Sequence, residues 1–173
     1  MEIVYRAFFL NPTIPPEGFP FAEYMRAKGG GRIPLEQFFA GPRQMGLAAD
    51  LLFNFEQITK APNTLRSHAL INLAPAEVRD AVIEAVYAAY FEFGQDIGDL
   101  ETLAAIGAGQ GMERADLRAR LAAGEGQAQA EADARWAAAH GVTGVPFFVI
   151  DGKYAFSGAQ PPEAIQAILA QVA

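Results

Sequence analysis

The stretch Gly141-Val142-Thr143-Gly144-Val145-Pro146-Phe147-Phe148-Val149-Ile150-Asp151-Gly152 sets a proline directly before a run of strand-forming residues. Proline cannot donate to a sheet ladder, so the backbone just ahead of the strand is kept for another purpose. Other residues with chemical potential are explained more simply. Asp96, Asp99 and Glu101 place three carboxylates within a short span that could hold a hard cation. Asp99 is better read as a helix cap and Glu101 as an anion near a helix N-terminus, so no metal is expected. Ser67 beside His68 pairs a hydroxyl with a base, yet neighbouring helical residues point about 100° apart and no acid is placed to orient the imidazole. His140 precedes Gly141, where a cationic side chain suits a helix C-terminus and glycine supplies a left-handed cap.

The elements that position these residues follow from periodicity. Phe147 to Ile150 reads as a strand, Asp151-Gly152 as a two-residue hairpin turn, and Lys153 to Phe156 as the returning strand. A helix then opens at Pro161-Pro162, with Ile165, Ile168, Leu169 and Val172 at helical spacing. At the other end, Glu2 to Leu10 alternates and is rich in β-formers, which predicts a strand stopped by Asn11-Pro12 and Pro15-Pro16.

Between these pieces lies a long helical region from about Phe21 to His140. Leu35 to Leu47 suggests one or two helices broken around Gly41-Pro42, and Phe53-Asn54-Phe55 a short extended link. Asn63 is a candidate N-cap. Pro75 opens a helix whose stripe Val78, Val82, Ala85, Val86, Ala89 and Phe93, joined by Ile83, Tyr87, Tyr90 and Phe91, makes it apolar on more than one face and therefore central. Asp99 caps the next helix, Gly111 separates it from Glu113 to Leu121, and Gln127 to His140 is Ala-rich and helix-forming. Trp136 reads as a packing anchor, and the phenylalanines and Tyr90 as core, with a minority role for Phe8, Phe9, Tyr90 and Phe91 in lining a site.

Composition bounds the rest. The 173 residues are 51% hydrophobic, enough for one well-buried domain. A formal charge of −7 and a pI near 4.8 disfavour nonspecific nucleic-acid binding, which needs clustered Lys and Arg. Nothing approaches the ~18 consecutive apolar residues of a membrane span. The start has no basic leader and Arg6 interrupts its apolar run, so the expectation is a cytoplasmic protein.

Four strings carry a family resemblance: FFLNPTIPPEGFPFAEYMRAKGG, APNTLRSHALINLA, AVYAAYFEFGQDIGD and GVPFFVIDGKYAFSGAQPPEAI. In this order, and over nearly the whole length, they resemble the FrnE-like branch of the DsbA family. The resemblance implies an α/β, thioredoxin-like sheet with a large inserted all-helical region. It implies one DsbA-like domain over 1–173, in which 1–11 and 141–173 are the thioredoxin-like pieces and 12–140 the mostly helical insertion. It also implies that Val145-Pro146 is the superfamily's cis-proline, with Gly144, Val145 and Pro146 binding an extended peptide through the Val145 backbone. The activity implied is protein disulfide exchange.

The sequence departs from that family at its chemical centre. Members open with a further strand and a helix bearing Cys-x-x-Cys or a serine variant, whereas this sequence has no cysteine, and its serines, Ser67 and Ser157, stand in other blocks. Disulfide exchange needs a thiolate, so no catalytic residue is expected within these 173 positions. An amino-terminally shortened form is the preferred explanation, and loss of the redox centre by descent is the alternative. Either way, a sheet with a gap, an exposed edge or a swapped partner is expected, together with poor stability of the chain alone.

Two other functions stay open. Kappa-class glutathione transferases and 2-hydroxychromene-2-carboxylate isomerases share this architecture, and the resemblance would place glutathione, as substrate rather than cofactor, at the cis-proline and at Ser157-Gly158-Ala159-Gln160 before the last helix, whose free N–H groups favour an anion. A non-catalytic module that docks peptides by backbone pairing is the third reading. The partners expected are a peptide or protein thiol or disulfide, or glutathione; no nucleic acid or membrane is expected, and a homodimer is left open.

Overall fold

The computed structural model describes residues 2–29 and 34–172. Gly30, which ends the first family-like string, and the side chain of Val172 lie outside the described residues. The chain divides into two compact units, one formed by residues 11–131 and the other by 1–10 with 132–173, so the boundary falls inside a helix rather than after it.

The regular structure of the 11–131 unit is mainly helix: α1 (Phe21–Lys28), α2 (Leu35–Leu47), α3 (Leu65–Leu73), α4 (Ala76–Phe91), α5 (Leu100–Gly109), α6 (Arg114–Ala122) and the start of α7 (Gln127–Ala139). A single antiparallel pairing of β1 (Phe19–Pro20) with β2 (Lys60–Ala61) ties α1 to the segment before α3. Two cores form. Leu70, Val82, Val86, Leu103, Leu117 and Leu121 make the first, drawn from α3 to α6. The second is aromatic: Phe39 stacks on Phe55 at 4.1 Å and on Phe21 at 5.7 Å, and Phe91 meets Phe55 edge-on. Helix α4 serves both, through Val82, Val86 and Ala89 on one side and Tyr90 and Phe91 on another, which is why it reads as apolar on more than one face. The approach of α5 to α6 is close enough that a Cβ at Gly107 would lie 2.2 Å from a Leu117 methyl carbon.

Three helix starts in this unit carry a side-chain acceptor, α5 and α6 at the cap itself and α3 from the residue before its cap. Asp99 accepts the Thr102 N–H at 2.8 Å, Glu113 accepts those of Ala115 and Asp116 at 2.9 and 2.6 Å, and Asn63 accepts that of Leu65 at 3.0 Å. These backbone donors hold the Asp99 and Glu113 carboxyls below their ordinary range. Two expectations fail here. Helix α2 runs through Pro42 without a break, because Gly41 and Pro42 face solvent and water can take the carbonyl that proline leaves unpaired. Of the expected extended link Phe53-Asn54-Phe55, Phe55 instead opens a 3₁₀ turn over Phe55–Gln57, closed by the Gln57 N–H on the Asn54 carbonyl.

The other unit contains the end of α7, the hairpin β3 (Phe147–Ile150) and β4 (Tyr154–Ser157), and α8 (Pro162–Val172). The predicted strand over Glu2–Leu10 is not found. No ladder is formed there among the described residues, and β3 and β4 pair only with each other. A strand exists only through a partner's N–H and C=O groups. The Ala7 N–H goes instead to the Asp133 carboxylate at 3.1 Å, while Ile3, Val4 and Tyr5 stay exposed. The hairpin also differs by one residue. Asp151 and Gly152 have φ of 51° and 66°, and the Lys153 N–H closes the turn on the Ile150 carbonyl at 3.0 Å. Lys153 is used in closing the turn, so the ladder resumes with Ile150 opposite Tyr154 and β4 runs from Tyr154 to Ser157.

Candidate functional site

The proline loop is approached from α7. That helix ends with Gly141 at φ 69°, its N–H on the Ala138 carbonyl and the Val142 N–H on the Ala137 carbonyl at 2.9 Å, a pair of bonds that satisfies carbonyls a helix otherwise leaves open. His140 sits at this end as its sequence position predicts. Its Nδ1 donates to the Trp136 carbonyl at 2.8 Å, and its ring stacks on Trp136 at 4.1 Å. Trp136, expected as a packing anchor rather than a stacking platform, stacks on a ring at the surface. It is 36% exposed, with the Arg6 guanidinium 5.7 Å from its ring centre.

Beyond this cap the Val145–Pro146 peptide bond is cis. The Pro146 carbonyl accepts the Gly158 N–H at 2.8 Å, one step beyond the pairing of Phe147 with Ser157. Gly158 has φ 81°, a backbone angle that side-chain-bearing residues rarely adopt, so glycine is what lets this contact form. Residues read separately from sequence, Val145-Pro146 and Ser157-Gly158, thus meet. Val145 is 52% exposed, and its N–H and C=O have no hydrogen-bond partner among the described residues. Gly144 opens on empty space. The result is an exposed backbone ledge beside a hairpin.

The neighbouring helix start is less suited to an anion. Pro161 and Pro162 carry no N–H, and those of Ala164 and Ile165 go to the Pro161 carbonyl, which leaves at most the Glu163 N–H beside the Glu163 carboxylate. Ser157, Gly158, Ala159 and Gln160 are exposed, and the Gln160 amide donates to the Ser157 carbonyl at 3.2 Å.

The remaining candidates have structural partners. Ser67 is buried and donates to the Ile97 carbonyl at 2.5 Å. Asp96 binds Lys60 at 2.6 Å, a contact that holds the lysine above its ordinary range, and Glu101 pairs with Arg118 and Arg114. Among the described residues no group of three His, Asp or Glu side chains is placed to hold a metal.

One residue of the unit that carries the ledge escaped the sequence reading. Asp133 is 2% exposed, paired with Arg6 at 2.8 Å as well as with the Ala7 N–H. The signal was its place at the spacing Ala130, Asp133, Ala137, the buried stripe of α7, where a carboxylate needs partners.

Compared with known proteins, the chain matches the family model of the DSBA-like thioredoxin domain over residues 1–170. A solved structure of a probable DsbA oxidoreductase from Streptomyces coelicolor superposes with a TM-score of 0.85 at 32% identity, covering 98% of this chain and 74% of that one. No curated protein matches the sequence. The architecture is accordingly the DsbA-like, thioredoxin-type α/β fold with an inserted helical region, helix-rich and with small sheets. By its family match and by that likeness, this chain belongs to the DSBA-like thioredoxin domain family, a thioredoxin-like oxidoreductase family.

Proposed function

We propose that these residues form the substrate-docking part of a FrnE-type protein disulfide oxidoreductase, in which the Val145 ledge aligns an extended polypeptide for thiol–disulfide exchange. One observation carries this reading: Val145 leaves both its backbone donor and its acceptor open on an exposed loop, while the adjoining Pro146 carbonyl is fixed by Gly158. A peptide laid along the ledge would pair with both groups as an added strand does. The name of the Streptomyces coelicolor protein supports an oxidoreductase setting.

The division of labour follows from the chemistry. In exchange a thiolate attacks one sulfur of the substrate disulfide, forms a mixed disulfide and expels the other sulfur as a thiolate. With no cysteine in the sequence, these residues supply alignment and not electrons. Two main-chain hydrogen bonds, each worth a net of about 0.5–1.5 kcal/mol, give weak and sequence-tolerant binding. That suits a partner that must release its product.

A titration of ¹⁵N-labelled protein with an extended, cysteine-free peptide tests the reading. The Val145 amide should shift and exchange more slowly with solvent as peptide is added, Gly144 should follow, and unit 11–131 should not respond. Peptide binding that leaves the Val145 amide unmoved would refute it.

A further inference from the structure

The 11–131 unit carries a concavity that disulfide exchange does not require. A groove of about 640 Å³ runs along α4, walled by Leu51, Leu52 and Phe53 on one side and by Tyr87 and Phe91 at one end. Its floor is built by Ala81, Ala85 and Ala88, small residues at i, i+4 and i+7 on one face of α4, which leave room where larger side chains would close it. The volume lies in the range of small-molecule sites, which are mostly apolar with a few placed polar groups.

The polar groups here are of one kind. Glu84 and Glu92 line the groove with Gln110, and no Lys, Arg or His does. Neither carboxylate has an ion-pair partner among the described residues. Tyr87, three residues beyond Glu84, is exposed and stacks on Phe91 at 6.2 Å, presenting ring surface beside the acid. Uncompensated carboxylates next to aromatic faces attract a cation that is itself weakly hydrated. A second copy of the chain would bring a further −7 of charge to the same acids, so charge opposes self-association at this surface.

We propose that this groove binds a cationic amphiphile, an ammonium group on an apolar tail, with the tail over the alanine floor and the charge at Glu84 or Glu92. The test uses submicellar decyltrimethylammonium, with decyl sulfate as the tail-matched anion, measured by calorimetry on the intact chain. The cation should bind at one site about tenfold more tightly than the anion, a difference that two solvent-facing carboxylates acting together can supply. Replacing both acids, Glu84→Gln with Glu92→Gln, should bring the two probes within about threefold of each other. Ala85→Phe should fill the groove and abolish binding of both without lowering Tm. Equal affinity of cation and anion for the unmodified protein overturns the proposal. So does a cation preference that survives the double substitution, because it then belongs to the overall charge, and so does binding indifferent to Ala85→Phe. A dimer in light scattering that Ala85→Phe dissociates would assign the groove to a second copy and equally overturn it.

Discussion

The two units bury their apolar residues very differently. In the 11–131 unit, leucines and valines from four helices are sealed from solvent, and a stack of phenylalanines forms a second core. In the other unit, Ala7 and Ala137 are the only buried apolar residues among those described, while Val145, Phe148, Val149 and Tyr154 remain exposed. Burial contributes roughly 25 cal/mol per Å² of apolar surface, so cohesion is concentrated in the helices. The Val145 ledge, proposed above as a docking surface, is carried by the more weakly packed unit, where a loop can stay open at little cost.

The sharpest way to break this contrast is to remove a core side chain from each unit. Leu117→Ala, at a site 1% exposed and locked against Gly107, should destabilise by about 2–5 kcal/mol in urea unfolding followed by helical circular dichroism. Phe148→Ala removes a ring stacked on Phe156 at 4.8 Å but facing solvent, and should cost about 1 kcal/mol or less. Comparable losses would show that the hairpin is a packed core and that the contrast is wrong.

The less buried unit has one polar anchor in place of a large core. Asp133→Ala would leave the Ala7 N–H and the Arg6 guanidinium without their buried acceptor, with an expected loss of about 1–3 kcal/mol. Amide hydrogen exchange should report the effect over residues 2–9 and the end of α7, with α3 to α6 unchanged. Asp133→Asn keeps an acceptor for the backbone bond and should recover part of the loss. A uniform change across both units would mean that they unfold as one.

What could be read from the sequence follows the same division. Helices with local signals were legible: the Asp99 cap and the Gly141 terminus correspond to contacts within a few residues, and the two-faced pattern of α4 is written in its own spacing although the cores it serves are distant in sequence. Ladders are not local. Glu2 to Leu10 has the composition of a strand, yet whether it pairs depends on residues far along the chain, and here its backbone turns to Asp133 instead. The hairpin register slipped by one because Asp151-Gly152 fixes the turn but not the fate of Lys153. At the ledge, Val145-Pro146 stood out because proline before a strand is costly without a reason, whereas its contact with Gly158 required the fold. The alanine floor of the α4 groove was hidden for a plain cause: alanine is the best helix former, so its presence needs no other explanation.

A smaller effect probes the join between ledge and hairpin. Gly158→Val forces a β-branched residue to φ 81°, at a cost of roughly 1–2 kcal/mol, and should loosen the bond that fixes the Pro146 carbonyl. Peptide-induced shifts at the Val145 amide should weaken in this variant while the 11–131 unit keeps its exchange protection. Undiminished peptide binding would show that the ledge does not depend on Gly158.

The smallest effect lies in the well-packed unit and depends on pH. Asp99 caps α5 through the Thr102 N–H, and that donor holds its pKa below the ordinary aspartate value. A carboxyl whose pKa is depressed on folding contributes stability above its unfolded pKa, near 3.9, and loses it as pH falls through the lower folded value. Asp99→Ala should therefore cost about 1 kcal/mol at pH 7, the typical worth of an N-cap, and the cost should shrink below about pH 4 as the native cap is protonated. Urea midpoints of the two proteins measured between pH 7 and pH 3 should converge toward the acid end. Parallel curves across that range would show that the protonated Asp99 carboxyl accepts the Thr102 N–H and hydroxyl as well as the carboxylate does, so that the cap does not depend on the charge.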